Sequence, residues 1–324
     1  MWKRSLSANR LLCVLIAILF CLSVFAGCSK GEDVAPNGDS LSFTDALGRA
    51  VTVSKKPQRV AALIGSFADI WLLSGGTVCA AAEDAWDDFG LELGDAVNIG
   101  GAHSPSLEAL LSANPDLVLA SASTSSNVEM KEVLESAGIT VVYFDVDSFE
   151  DYLAMLDVCT DITGRKDLFE QNGLNIKSEI EEIKAEFQEA DLTETERTVL
   201  LLRVSSTSIK AKGSSGTILG EMLRDLGCIN IADSDTSLLE NLSVESVIRR
   251  EPYHIFVVTM GNDTEKAMEN LSRMMDENPA WGTLKAVQEN RLHLMDKRLF
   301  NIKPNAKWAE AYETLSGILL EKNQ

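Results

Sequence analysis

Apolar residues recur at helical spacing between Asp167 and Ala190, in the stretch DLFEQNGLNIKSEIEEIKAEFQEA. They form one stripe, and Lys and Glu fill the other faces of the predicted helix. The residues of the stripe are Ile176, Ile180, Ile183 and Phe187. Gly173 weakens the first turns, so the secure part of the helix is predicted to begin near Leu174. If all 24 residues are helical, the helix is roughly 36 Å long at about 1.5 Å per residue.

Strand-like and helix-like segments alternate on both sides of this helix. After a predicted hairpin at 43–53, the predicted strands include 59–64, 117–120, 138–145, 198–204, 255–257 and 291–296. Such alternation is typical of α/β structures with largely parallel sheets. The pattern predicts two α/β lobes, 41–163 and 193–324, joined once by a connecting helix within 164–192. On the pattern alone, a crossover helix inside one large domain is an equal alternative.

One helix–proline–strand unit occurs twice, 137 residues apart. In the first copy we expect Ser104 to cap a helix with Pro105 at its first position, and Pro115 to follow the helix end. The corresponding residues of the second copy are Asn241 for Ser104, Glu245 for Glu108 and Pro252 for Pro115. The shared order and offset favour an internal duplication over a chance match, with one copy in each lobe.

The N-terminus has the pattern of a secretory signal. Three basic residues precede an apolar run at 11–25, and the small residues Ala26 and Gly27 stand directly before Cys28. This arrangement resembles the bacterial lipobox, although Phe25 stands where that pattern usually has Leu. The resemblance implies a signal peptide at 1–27, lipid on Cys28 and, with the polar residues that follow, a flexible tether at 28–40. The alternative is a retained membrane anchor.

Charge and cysteine content exclude several classes. The chain has 29 Lys and Arg against 49 Asp and Glu, and removal of residues 1–27 would change the net charge from −20 to −23. Such a surface repels phosphate backbones, so nucleic-acid binding is not expected. Cys79, Cys159 and Cys228 remain after the signal and the lipidated cysteine, at wide spacing and in odd number. Neither a zinc ribbon nor a disulfide framework is supported.

Several segments together resemble the bacterial periplasmic-binding-protein family of the iron-siderophore and cobalamin uptake type. The matching segments are DALGRAVTVSKKPQRVAAL, SPSLEALLSANPDLVLAS, GSSGTILGEMLRDLGCINIA, LSVESVIRREPYHIFVV and NPAWGTLKAVQENRLHLMD, in the family's order and covering nearly all of 41–320. The resemblance implies two lobes joined by one rigid helix, with the ligand in the cleft between them. It also implies a lipoprotein subunit of an ABC importer that delivers its ligand to a permease dimer with a cytoplasmic ATPase.

In that family one Glu on each lobe docks against Arg residues of the permease. The matching positions are Glu108 and Glu245, the two members of the internal repeat. A solvated Glu at a helix start is the alternative for either residue alone. Because an exposed ion pair contributes only about 0–1 kcal/mol, the pair is expected to fix orientation and speed encounter rather than to supply affinity.

Ligand contacts are expected from loops at the carboxyl ends of the strands, on both sides of the cleft. These loops contain Ser66, Phe67, Trp86, His103, Ser123 and Asp147 in the first lobe, and Arg203, Lys210, Met260 and Asn301 in the second. Trp86 offers a flat surface for a macrocycle, and Arg203 and Lys210 suit an anionic chelate. The alternatives are that the loop aromatic group only packs and that the Arg pairs with a neighbouring acid.

The histidines argue against a bare metal ion as ligand. Sites for free Zn²⁺ or Mn²⁺ need several converging His or carboxylate groups. His254 opens a predicted strand and His293 lies within one, which leaves only His103 near the cleft. Haem ligation by His103 or Met260 is a further alternative. No metal site in the protein itself and no cofactor are expected.

The leading hypothesis is a non-enzymatic, lipid-anchored binding protein on the outer face of the cell membrane or the periplasmic side. It would capture a metal chelate, with a ferric siderophore first and cobalamin or haem behind it. An enzyme on the same scaffold would need a nucleophile–base pair or a metal cluster, and the chain has no Gly-x-Ser-x-Gly or His-Glu-x-x-His motif. A sensory or adhesive lipoprotein without a transporter is the third alternative.

Overall fold

Two five-stranded sheets lie on either side of the connecting helix. The computed structural model describes residues 39–261 and 263–321, so the predicted signal peptide, Cys28 and nearly all of the tether lie outside the described residues. The first lobe begins with an antiparallel hairpin, β1 and β2, and continues with a parallel sheet in the order β5-β4-β3-β6-β7. Its strands are β1 (Ser40–Thr44), β2 (Ala50–Ser54), β3 (Val60–Ala62), β4 (Val78–Ala81), β5 (Val97–Asn98), β6 (Leu117–Ser121) and β7 (Thr140–Phe144).

Helices flank this sheet and follow its strands. They are α1 (Gly65–Leu73), α2 (Asp84–Asp87), α3 (Leu107–Ser112), α4 (Ser125–Glu129), α5 (Lys131–Ser136) and α6 (Phe149–Thr163). The short helix α2 falls in the acidic segment between β4 and β5. The predicted strands and the hairpin of this half are confirmed within a few residues.

The second lobe holds a mixed sheet in the order β10-β8-β11-β12, in which β9 pairs antiparallel with β8 and the other pairs are parallel. Its strands are β8 (Thr198–Val204), β9 (Ile209–Lys212), β10 (Ile229–Asn230), β11 (His254–Thr259) and β12 (Leu292–Leu294). Its helices are α9 (Ile218–Asp225), α10 (Ile231–Ser234), α11 (Ser237–Glu240), α12 (Val244–Arg250), α13 (Thr264–Glu277), α14 (Lys285–Gln288), α15 (Lys297–Phe300) and α16 (Trp308–Leu320), with 3₁₀ turns at Pro279–Thr283 and Asn305–Lys307. The fold is therefore α/β with two mainly parallel sheets, as predicted.

The connecting helix is continuous from Lys166 to Glu189 but changes pitch once. It consists of α7 (Lys166–Phe169), a π-helical turn (Glu170–Leu174) and α8 (Asn175–Glu189). Gly173 lies in the π turn, where an added Cβ would come 3.0 Å from Cδ2 of Leu153. The regular α-helix starts at Asn175, which confirms that its secure part begins near Leu174. The predicted stripe faces inward, because Ile176, Ile180 and Phe187 are buried and Ile183 is partly buried.

One apolar cluster joins the two sheets. It contains Phe67 and Leu119 of the first lobe, Phe187 of the connecting helix, and Leu201 and Trp308 of the second lobe. The residues from Ser40 onward consequently form one compact unit, although the chain crosses between the sheets only once. Within 39–261 and 263–321, none of the helices has both the length and the apolar content needed to cross a membrane.

The repeated unit is present in both lobes with matching helix caps. The Ser106 hydroxyl accepts a hydrogen bond from the backbone N–H of Ala109 at 3.2 Å, and the Ser243 hydroxyl accepts one from that of Ser246 at 3.3 Å. The expectation that Ser104 caps the first helix with Pro105 at its first position is therefore wrong, because the helix starts two residues later, at Leu107. Ser104 instead donates its backbone N–H to the carbonyl of Gly101 in a preceding turn.

Candidate functional site

The loops at the carboxyl ends of both sheets face each other, and polar contacts cross between them. Lys297 lies 2.6 Å from Asp88, and Arg298 lies 3.2 Å from Asp69. The Arg298 guanidinium also lies over the ring of Phe89, 4.3 Å from its centroid. We call the space between these loops the cleft.

Three cations lie on one face of the β8–β9 hairpin, and one of them, Arg203, interacts electrostatically with Asp147 of the first lobe. Arg203 is the cross-strand neighbour of Lys210, and Lys212 lies two residues further along β9, so the three side chains point the same way. We call them the basic face. In the described part of the chain, no carboxylate lies within 4.0 Å of any of the three. Lys212 is a member that sequence reasoning missed, although its alternation with Lys210 was visible.

Two members of the basic face, Arg203 and Lys212, are partly buried without a carboxylate in contact among the described residues. Burial lowers the pKa of Arg203, whose Nε is buried and has no hydrogen-bond acceptor among the described residues. Burial also lowers the pKa of Lys212, and the positive charges of Arg203 and Lys210 lower it further. A buried cation without a partner is costly, and an anionic ligand would remove that cost.

Acidic groups of the first lobe lie opposite two cations of the second lobe, Arg203 and Lys303. Asp147 is half-buried, and it interacts electrostatically with Arg203 and with Lys303, which also belongs to the second lobe. Burial lowers the pKa of Lys303, while the surrounding carboxylates Asp147, Asp145, Asp151 and Asp84 oppose that shift. Sequence reasoning missed Lys303, because only the tertiary fold brings it to these acids.

Asp84 supports the loop that carries Trp86. Its Oδ2 accepts a hydrogen bond from the backbone N–H of Gly65 at 2.9 Å, at the start of α1. Its Oδ1 is buried without a partner in the described residues, and burial raises its pKa. An added Cβ on Gly65 would lie 2.5 Å from the backbone N of Ala85, so the close approach of α1 and α2 requires glycine here.

The predicted ligand contacts Trp86, Phe67 and Ser66 differ in how much surface they expose. Trp86 is partly buried against the apolar cluster and retains exposed surface. Phe67 is fully buried and packs edge-to-face on Phe144 with 6.1 Å between ring centroids. In this conformation Phe67 offers no surface to a ligand. Ser66 is buried as well, and its carbonyl accepts a hydrogen bond from Asn305.

Of the remaining predicted contacts, Ser123 and Met260 closely follow β6 and β11, His103 lies in the loop after β5, and Asn301 directly follows α15. His103 and Ser123 are exposed in the first lobe, and the Ser123 hydroxyl lies 3.1 Å from that of Ser121. In the second lobe Met260 is 43% exposed directly after β11, and Asn301 donates to the carbonyl of Thr259 at 2.8 Å. Ligand contact by these residues stays a prediction.

Metal-ligating groups do not converge in the described ranges 39–261 and 263–321. No cluster of three or more His, Cys, Asp or Glu side chains suited to an ion occurs there. Cys79, Cys159 and Cys228 are free thiols. His254 and His293 lie together, with Nδ1 and Nε2 3.0 Å apart, on strands β11 and β12. His254 opens β11, so this pair is at the end of the sheet opposite to the cleft.

The two glutamates of the repeat occupy equivalent places. Glu108 and Glu245 are exposed in the first turns of α3 and α12, each two residues after the capping serine. Glu245 additionally accepts a hydrogen bond from the Ser243 hydroxyl at 3.0 Å. Its own backbone N–H and then this hydroxyl lower the pKa of Glu245, so it is ionised at neutral pH.

Comparison with known proteins identifies the family. The model of a family described as periplasmic binding protein matches residues 60–299. The chain belongs to the periplasmic binding protein family. Its members bind ligands, and the match confirms the resemblance drawn from the sequence segments.

Individual relatives cover nearly the whole of this periplasmic binding protein. The Fe(3+)-citrate-binding protein YfmC of Bacillus subtilis is 26% identical over 308 residues, which are 90% of each chain. The putative ABC transporter substrate-binding lipoprotein YhfQ of the same organism is 21% identical over 313 residues, 92% of this chain and 94% of the relative. The crystal structure of Staphylococcus aureus SirA complexed with staphyloferrin B superposes with a TM-score of 0.64 at 19% identity, over 88% of this chain and all of that one. This last likeness shows the fold alone.

Proposed function

We propose that this periplasmic binding protein captures an anionic ferric chelate, of the ferric siderophore class, in the cleft between its lobes. The observation that carries the proposal is the basic face, in which Arg203, Lys210 and Lys212 share one side of a hairpin. Three cations without carboxylate partners provide a surface for the carboxylate oxygens of an iron chelate, and Arg203 can bind such a group through two parallel hydrogen bonds.

The relatives support the same ligand class. YfmC is named for ferric citrate, in which carboxylates carry the negative charge. SirA was crystallised with staphyloferrin B. The partly exposed Trp86 of the first lobe would provide a flat apolar contact on the other side of the ligand.

The proposed partner is the permease dimer of an ABC importer with its cytoplasmic ATPase. YhfQ carries the name of an ABC transporter substrate-binding lipoprotein. Glu108 and Glu245 would each meet an Arg of the permease, one from each lobe. Lipid on Cys28 would hold the protein at the outer face of the cell membrane or on the periplasmic side, and no catalytic role is proposed.

A titration of tryptophan fluorescence tests the ligand class. The full chain in mild detergent would be titrated with ferric citrate, a ferric hydroxamate, a ferric catecholate, cobalamin and haem. We expect saturable quenching by an anionic ferric chelate at micromolar or lower concentration, and loss of most of that signal in Trp86→Phe.

Arg203→Gln should weaken binding at least about tenfold, since it removes a charged hydrogen-bond donor. Arg224→Gln is the matched control, because Arg224 is exposed and already paired with Glu221. An equal loss of affinity in Arg203→Gln and Arg224→Gln, or no fluorescence response to any ferric chelate, would overturn the proposal.

A second candidate is a cobalamin- or haem-binding subunit of the same class of importer. The observation that favours haem is the pair of exposed potential iron ligands on opposite lobes, Met260 and His103. Selective binding of haem, with an absorption spectrum altered in Met260→Leu or His103→Gln, would establish it. Ligand binding without any uptake would favour a sensory lipoprotein.

A further inference from the structure

The loop between β7 and α6 places a half-buried carboxylate, that of Asp147, at the cleft. Asp151 closes the capping box of α6, and its Oδ2 accepts hydrogen bonds from Asp147 N, Ser148 N and the Ser148 hydroxyl at 3.2, 2.9 and 2.6 Å. These bonds hold the backbone of the loop in place. Asp147 itself is half-buried, and its carboxylate accepts no hydrogen bond from the described residues.

The opposite lobe presents a cation in the same condition. Arg203 is half-buried on β8, and its Nε has no acceptor within the described ranges. Asp147 and Arg203 interact electrostatically, but no carboxylate oxygen of Asp147 lies within 4.0 Å of a guanidinium nitrogen of Arg203. Lys303 also faces Asp147, as do the acids Asp145, Asp151 and Glu221.

The direction in which the pKa of Asp147 is shifted agrees with a carboxylate that is not in direct contact with Arg203. A carboxylate in direct contact with Arg has a lowered pKa, because the cation stabilises its charged form. Burial instead raises the pKa of Asp147, and the positive charge of Lys303 only partly offsets this. The charge of Asp147 is therefore held near the cations without being neutralised by contact.

We propose that Asp147 is a specificity-determining residue that acts as a built-in anion of the cleft and limits the negative charge of the chelates it accepts. This inference rests on the proposed function. Asp147 partly balances Arg203 and Lys303 when no ligand is present. An anionic chelate approaching Arg203 is repelled by Asp147, whereas an uncharged chelate is not.

A charge series with a matched pair of variants tests the proposal. Asp147→Asn removes the charge and nearly keeps the shape, and Asp276→Asn does the same at an exposed aspartate of α13. Iron retained in equilibrium dialysis would be measured on the full chain in mild detergent, with ferric citrate and with a ferric trihydroxamate of zero net charge. We expect Asp147→Asn to bind ferric citrate about 3- to 30-fold more tightly, from Coulomb interaction over several ångströms at an effective dielectric constant between those of protein and water. Asp276→Asn should change the affinity for ferric citrate less than about twofold, since an exposed charge is well screened. Asp147→Asn should change the affinity for the uncharged chelate by as little.

The outcomes separate this inference from the proposed function. A tighter complex cannot arise from misfolding, so the expected gain is a direct sign of removed repulsion. If wild type binds ferric citrate and Asp147→Asn binds it equally or more weakly, or if Asp276→Asn gains as much, the role of Asp147 is overturned while the proposed function stands. If neither wild type nor Asp147→Asn binds any ferric chelate, the proposed function fails, and this inference fails with it. The double variant Asp147→Asn/Arg203→Gln is compared with Arg203→Gln alone. If Asp147→Asn no longer increases the affinity for ferric citrate in that background, the effect belongs to the Asp147–Arg203 pair.

Discussion

The side-chain amide of Asn305 donates a hydrogen bond to the backbone carbonyl of Ser66 at 2.9 Å, from the second lobe to the first. The same Nδ2 lies 2.8 Å from Oδ2 of Asp69, which also pairs with Arg298. Arg298 in turn donates to the carbonyls of Lys303 and Pro304 at 2.8 and 3.0 Å. We call these bonds the clasp. They hold the segment that carries Lys303 against the first lobe, although the segment belongs to the second lobe by sequence.

Loss of the Asn305 amide should lower the free energy of unfolding. Asn305 is fully buried and has a left-handed backbone, with φ at +57°. Asn290 has the same residue type and a φ of +56° but is exposed. We expect Asn305→Ala to cost about 2 kcal/mol more than Asn290→Ala in urea unfolding, because one buried and one partly buried hydrogen bond are lost at Asn305. Equal costs would show that backbone conformation alone matters at this position.

The clasp should also limit motion of the lobes. With the connecting helix and the clasp both crossing between the lobes, we expect the radius of gyration from X-ray scattering to stay constant on ligand addition. Arg298→Met removes the pairing with Asp69 and should permit a measurable change. Lys307→Met is the control, because Lys307 is exposed and pairs only with the nearby Glu310. A large ligand-induced change in wild type would contradict this role of the clasp.

Acid should destabilise the protein through His254. Its burial, then the charges of His293 and Arg291, lower its pKa to about 4. The unfolded chain takes up this proton near pH 6.5, so the contribution of neutral His254 to stability is complete above pH 6.5 and is lost as the pH falls towards 4. The loss is at most about 1.4 kcal/mol per pH unit.

Urea unfolding at pH 7.5 and pH 5.0 measures this effect. The difference in unfolding free energy between the two pH values should be smaller in His254→Gln than in wild type. His103→Gln is the control at an exposed histidine and should keep the wild-type difference. An unchanged pH dependence in His254→Gln would exclude His254 as its source.

Helices and strands could be predicted where the hydrophobic pattern of a short stretch of sequence is enough to define them. The stripe of Ile176, Ile180 and Phe187 repeats at helical spacing, and the buried runs of β6 and β8 are continuous in sequence. The π turn was not predictable, because it depends on the packing of Gly173 against a leucine of α6.

The candidate site was only partly predictable for the same reason. Arg203 lies near the carboxyl end of β8 and Asp147 follows β7, so topology alone places them at the same edge as the cleft. Lys303 belongs to the site because it interacts with acids that are far away in the sequence, which no local pattern reveals. The burial of Phe67 depends on its packing against Phe144, which is also distant in the sequence. Ser104 and Ser106 are both suitable caps, and only the geometry of the turn before them selects Ser106.

The same substitution should have opposite signs at two glycines. A Cβ at Gly65 would lie 2.5 Å from the backbone N of Ala85, so Gly65→Ala must push α1 away from α2. We expect it to cost at least about 2 kcal/mol, as for an overpacked core site. Gly317 lies inside α16, and within 39–261 and 263–321 no atom outside that helix turn lies within 4 Å of the position that a Cβ would take there. Gly317→Ala should therefore stabilise the protein by about 0.5–1 kcal/mol. Thermal unfolding of both variants checks the signs, and destabilisation by Gly317→Ala would contradict the open space beside α16.

Reversal of charge at the repeated glutamates should separate ligand binding from transport. Glu108 and Glu245 are exposed, lie in equivalent first turns and take no part in the cleft. Glu108→Arg/Glu245→Arg would place like charges opposite the proposed permease arginines, and misplaced charges of this kind cost several kcal/mol in an interface. We therefore expect loss of chelate uptake by cells with no change in chelate affinity of the purified protein. Glu132→Arg/Glu265→Arg is the control, because these residues are also exposed in first turns, one in each half of the chain. Normal uptake by the first variant would refute the docking assignment, and equal loss in both would point to a general effect of surface charge.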